Sequence, residues 1–124
     1  MVVTLATEDF AAWFMGLETK DASAVDRVVG LLAQMGVTLR FPYTSAITGS
    51  RHALRELRIQ SAGSPIRVFY VFDPERQAVL LIGGDKTGDT RFYEVMVPRA
   101  DAIFDAYLAA HAVKKKQHNK RKKP

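Results

Sequence analysis

A chain of 124 residues with 48% apolar side chains is sized for one domain with one buried core. It has no cysteine, which excludes disulfides, thiolate metal sites and thiol nucleophiles, and His52, His111 and His118 lack metal-ligand spacing, so neither a metal nor a cofactor is expected. The net charge of +5 is unevenly placed: residues 114–124 hold seven Lys/Arg and no acid, while the first 113 hold eleven basic and thirteen acidic side chains.

The expected division is therefore a folded domain over 1–113 and a basic, disordered tail over 114–124. That tail is either a solubilising end or an arm that attracts nucleic acid, with Lys114, Lys115 and Lys116 nearest the domain. Inside the domain, residues 1–39 and 73–113 each carry a net charge of −3, and residues 40–72, with five arginines and one glutamate, carry +4. A central segment rich in arginine favours an anionic partner. No leader-like N-terminus and no membrane-length apolar run are present, so a cytoplasmic protein without a membrane partner is expected.

In chain order, "VVTL" (2–5) predicts a short strand, and Thr7 an N-cap with Glu8 and Asp9 in the first turn. Phe10, Trp13, Phe14 and Leu17 then recur at helical spacing, an apolar stripe for a core. Asp21 is expected to cap a second helix whose apolar face is Val25, Val28, Val29, Leu31, Leu32 and Met35, ending at Gly36. "FPYTSAITGS" (41–50) has loop chemistry. From Leu54 the period becomes two, and "LRELRI", "IRVFYVFD" and "QAVLLIGG", separated by "SAGSP" and "DPER", predict a three-strand antiparallel meander. The segment from Arg91 reads as helical but is expected to break at Pro98, which would open the final helix with Ile103, Phe104, Tyr107 and Leu108 turned inward. The predicted fold is α+β, with helices covering one face of a twisted, mainly antiparallel sheet of about four strands.

Arg67 interrupts the apolar "IRVFYVF" strand. Alternation puts it with Phe69, Val71 and Asp73, opposite Ile66, Val68, Tyr70 and Phe72. A guanidinium in that position must pair with an acid, Glu56 or Asp73, or line a cleft that receives an anion. Arg55 and Arg58 point to opposite faces of the preceding strand, so only one of them can lie beside Arg67. The loop "GGDKTGDT" is not a P-loop, because Leu80 and Asp85 occupy the glycine positions that motif requires. It places Lys86 and Thr87 at the end of a strand whose neighbours bring arginines, a cationic cleft suited to a phosphodiester.

Such a cleft suits RNA cleavage by a ribose 2′-hydroxyl. The reaction needs a base, positive charge on the phosphorane and a proton donor to the leaving oxygen. Arginine binds two phosphate oxygens at once, and lysine serves as acid or base when cations or burial lower its pKa. Tyr70 and Tyr93 are candidates for stacking on a base.

The succession "RHALRELRI…IRVFYVFDPERQAVLLIGGDKTGDTRFYEVMVPRADAIFDAYL" resembles the HigB-type branch of the RelE/ParE superfamily of toxins from type II toxin-antitoxin systems, over residues 2–110. The resemblance implies a RelE-like fold, with an N-terminal helical hairpin and a C-terminal helix on the sheet, and a ribonuclease that cuts messenger RNA on the ribosome. It also implies a helix-turn-helix antitoxin that binds the toxin in a hetero-oligomer. Carried over by motif, Arg67, Lys86 and Arg58 are the catalytic candidates; Arg51, Arg55 and Thr87 join the tyrosines and the tail lysines as RNA-binding candidates. ParE-type cousins inhibit DNA gyrase instead, and a plain RNA-binding module is a third reading. Asp85 and Asp89 flank Lys86 and either tune it or neutralise it.

Overall fold

Ser64–Phe72 forms the middle strand, β4, of a five-stranded sheet, and its two apolar faces explain that place. The computed structural model describes the backbone of residues 1–122 and the side chains of 1–112, so the basic tail lies outside the described side chains. The elements are β1 (Thr4–Ala6), α1 (Glu8–Met15), α2 (Thr19–Met35), a 3₁₀ turn (Gly36–Thr38), β2 (Thr44–Ala46), β3 (Arg55–Ser61), β4, β5 (Ala78–Asp85) and α3 (Phe92–Lys122). The strand order is β1-β5-β4-β3-β2, with β1 parallel to β5 and the other pairs antiparallel. The α+β class, the hairpin of helices and the antiparallel meander are as expected.

Helices cover both faces of the sheet rather than one. Ile66, Val68 and Tyr70 pack with Phe10, Val25, Val28 and Leu32 of α1 and α2. Phe69 and Val71 pack with Phe92, Val97, Ala100 and Phe104 of α3. A strand apolar on both sides leaves no face that water could wet without cost, and α3 closes the second one.

Three local expectations change. The segment 44–46, read as loop, is the edge strand β2, held by pairing with Leu57, Glu56 and Arg55. Helix α2 begins at Thr19 with Glu18 as N-cap, and Asp21 instead accepts a hydrogen bond from Ser61 Oγ at 2.6 Å, tying the first turn to the end of β3. The final helix does not break at Pro98. Pro98 faces solvent, so the helix loses the single bond its N–H would have made to the Glu94 carbonyl. Burial of Phe92, Val97 and Phe104, each about 1.5–3 kcal/mol, offsets a penalty of about 3 kcal/mol.

Thr7 caps α1 as expected, accepting from Phe10 N–H at 3.1 Å while its hydroxyl donates to the Leu81 carbonyl at 2.7 Å. Gly83 and Gly84 let two aromatic rings approach β5 from opposite sides. A Cβ at Gly83 would lie 2.3 Å from the Trp13 ring, and one at Gly84 2.9 Å from the Phe92 ring. Gly83→Ala is expected to destabilise the fold by about 1–3 kcal/mol, read as a lower urea midpoint at unchanged slope.

At the far end of α3, Tyr107 Oη donates to Asp73 Oδ2 at 2.7 Å. Desolvation and the Asp73 carboxylate raise the Tyr107 hydroxyl to about 12. A folded-state pKa above the unfolded value near 10 stabilises fully below pH 10 and loses that contribution as pH rises towards 12. Urea midpoints measured from pH 9 to 12 should fall, and Tyr107→Phe should flatten part of the slope.

Candidate nucleic-acid interface

The register of β3 against β4 sets the site. Arg58 stands directly opposite Arg67, and Glu56 opposite Phe69, all on the face that α3 covers. Two guanidiniums placed across a ladder repel one another, and Glu56 is the acid that holds them. It is 4% exposed. Its Oε1 accepts from Tyr93 Oη at 2.6 Å and lies 3.5 Å from Arg67 Nε. Its Oε2 accepts from Ser45 Oγ at 2.7 Å and from Arg58 at 3.2 Å. One carboxylate therefore joins β2, β3, β4 and α3.

Arg67, also 4% exposed, donates through a terminal nitrogen to the Ile66 carbonyl at 3.0 Å. Its Nε ion-pairs with Glu56 and has no hydrogen-bond partner among the described residues. Of the two acids offered by the sequence, Glu56 is the partner. Asp73 is engaged elsewhere, accepting from the Glu75 and Gln77 N–H groups at 2.9 Å each.

Lys86 follows β5, where its N–H donates to the Pro65 carbonyl at 3.0 Å. Its Nζ sits 5.5 Å from the centroid of the Tyr93 ring. The Tyr93 hydroxyl is held above its ordinary pKa, first by desolvation and then by its bond to Glu56. Lys86 makes no ion pair among the described residues, and the acids beside it bond within the turn. Asp85 Oδ1 accepts from Thr87 N–H at 2.9 Å and Thr87 Oγ1 at 2.6 Å, bonds that hold its carboxyl below the usual range. Asp89 Oδ1 accepts from Arg91 N–H at 3.0 Å.

Arg67, Arg58, Lys86 and Tyr93 thus come together; the other sequence candidates do not. Arg55 points to the α1/α2 face, donating to Thr44 Oγ1 at 3.3 Å. Tyr70 is 1% exposed and its hydroxyl bonds the same threonine at 2.7 Å, which leaves no ring face for a base. Arg51 and His52 both engage Asp105 on α3. Thr87 serves its own turn, and Lys114, Lys115 and Lys116 lie outside the described side chains.

A groove of about 340 Å³ runs beside this cluster, between α2, the 41–43 loop and the free edge of β3. Its lining includes Arg27, Phe41, Tyr43, Arg58 and Arg67, and no carboxylate. The Arg58 guanidinium lies 5.6 Å from the centroid of the Phe41 ring. Phe41 is 73% exposed. Sequence reasoning missed Arg27, Phe41, Tyr43 and Ser45. Two aromatics in a loop inside the arginine-rich segment were a usable signal, whereas Arg27 looks like any polar-face helix residue.

Fold and site define a small RelE-like α+β domain with a cationic, aromatic-edged groove at one end of its sheet. The chain matches the family model "Phage derived protein Gp49-like (DUF891)" over residues 12–105. It is 36% identical over 123 residues to "Putative toxin HigB2" of Mycobacterium tuberculosis, covering 97% of this chain and 61% of that protein. It is 39% identical over 100 residues to "Putative toxin HigB3" of the same organism, covering 79% of this chain and 86% of that one. The chain belongs to the Gp49-like family and, within it, to the HigB-type toxins. Against the first of these relatives it spans 61% of the length.

Removing Glu56 strands two guanidiniums. Glu56→Ala is expected to cost about 3–5 kcal/mol in urea unfolding, while the double replacement Glu56→Leu with Arg67→Met should recover most of that loss. Equal destabilisation by the single and double variants would mean the pair is not the energetic centre of the cluster.

Proposed function

We propose that the protein is the toxin of a type II toxin-antitoxin pair: a cytoplasmic endoribonuclease that cuts messenger RNA on the ribosome and is held inactive by a helix-turn-helix antitoxin. The observation that carries this reading is the placement of Arg58, Arg67 and Lys86 at one end of adjacent strands, on one face. The toxin names of the two relatives support the same reading.

In this mechanism the ribose 2′-oxygen attacks phosphorus as its proton is removed. The bond from phosphorus to the 5′-oxygen breaks, and a proton passes to that leaving oxygen. The products are a 2′,3′-cyclic phosphate and a free 5′-hydroxyl. Arg58 and Arg67 hold the charge that develops on the phosphorane, the outer one directly and the buried one from beneath it. Lys86, without an acid partner among the described residues and mounted on the Tyr93 ring, is the proton-transfer group.

Induction in a bacterial host with mapping of mRNA 5′ ends tests the reading. Codon-phased cuts are expected, and Arg58→Ala and Lys86→Ala should each reduce them about 100-fold or more, the scale of losing one stabilising donor. Growth arrest with intact mRNA and trapped gyrase-DNA complexes would overturn the nuclease assignment in favour of gyrase inhibition.

A further inference from the structure

The groove between α2 and the free edge of β3 has no part in the proton transfers above. We propose that it is a nucleotide-binding subsite, one that takes an unpaired RNA nucleotide neighbouring the scissile phosphate, stacks its base on Phe41 and holds its phosphate between Arg27 and Arg58. The inference rests on the ribonuclease reading and deepens it by naming where the flanking strand lies.

Four observations converge. The groove has the volume of a small-ligand site, about 340 Å³. Its lining brings three guanidiniums together, two of which share the single Glu56 carboxylate beside the groove, so positive charge is in excess and an anion is attracted. Phe41 is exposed beyond what packing needs, with Tyr43 beside it at 41% exposure, and both residues line the groove. Arg58, 5.6 Å from the Phe41 centroid, completes a stacking platform of an aromatic ring and a planar cation, the combination that binds single-stranded bases without strict sequence preference.

The position follows from the sheet. Arg58 is on β3 and Lys86 follows β5, two strand spacings away, roughly 10 Å. A base on Phe41 therefore belongs to a nucleotide adjacent to the one being cut. Arg67, buried between them and lining the groove, is common to both sites. Arg27 enters only from the groove side, which separates its role from that of the catalytic cluster.

The test uses the full chain and a short single-stranded RNA with one 2-aminopurine, its fluorescence reporting stacking and its anisotropy reporting binding. The expected result is quenching by the intact protein. Phe41→Ala should abolish the quenching and weaken binding about 5- to 150-fold, and Arg27→Ala should weaken binding and reduce the log-log salt slope by about one. Both residues are exposed, and a circular dichroism spectrum matching that of the intact protein is the control that each variant folds. Binding and quenching unchanged in both variants would overturn the subsite while leaving the ribonuclease reading intact. Codon-phased cleavage by a chain that does not bind the probe would do the same. Neither binding nor cleavage by the intact chain would overturn both.

Discussion

The buried carboxylate of Glu56 is the constraint on which the rest of the site depends. Pairing β3 with β4 in its observed register sets Arg58 against Arg67, and two positive groups so placed would push the strands apart. Glu56, two residues along β3 on the same face, reaches both. Its remaining lone pairs are taken by Ser45 from β2 and Tyr93 from α3. The edge strand β2 has three residues and little intrinsic reason to form, so its side-chain bond to Glu56 adds to the ladder in placing it. Because Phe41 and Tyr43 lie just before β2, the same carboxylate positions the aromatic edge of the groove.

A buried ion pair is weak evidence for stability, since an apolar pair of similar volume does as well or better. The sheet around Arg67 is apolar on both sides, and a Leu or Met there would have satisfied the packing. What a hydrophobic residue cannot do is hold a fixed positive charge beneath a groove. The Nε of Arg67 faces Glu56 Oε1 at 3.5 Å, an ion pair longer than a hydrogen bond.

The fold was largely legible because the apolar periodicity changes cleanly, from the stripe Phe10, Trp13, Phe14 and Leu17 to the two-faced strand at 64–72. What escaped depended on tertiary pairing. Thr44–Ala46 has no strand signal of its own, and Pro98 stays inside a helix because its exposed face lets the packing of Val97 and Phe104 decide. The partner of Arg67 was closer to reach than it looked. Ala62 and Gly63, at φ 49° and 86°, form a two-residue turn that pairs Ser61 with Ser64. Counting three residues back from Ser61 and three on from Ser64 pairs Arg58 with Arg67, and alternation sends Arg55 to the opposite face. Reading "SAGSP" as an unspecified turn forfeited that register. Arg27, by contrast, approaches the site only through the packing of α2 on the sheet, which no local pattern encodes.

Lys86 shows how the loop acids that seemed to oppose it are used. Asp85 and Asp89 each turn one carboxylate oxygen, Oδ1, to the N–H groups of Thr87 and Arg91, which shapes the turn, while the Lys86 ammonium lies on the Tyr93 ring. Tyr93 in turn owes its position to its neighbour. Gly84 lacks a Cβ, so the Phe92 ring can lie against β5, and Phe92 fixes the first turn of α3. Tyr93 then packs edge-on to Phe92, carries Lys86 on its face and reaches Glu56 with its hydroxyl. A missing methyl on β5 thereby sets the separation between the lysine and the two arginines. The two glycines that end "VLLIGG" are thus as much part of the site as the charged residues that follow.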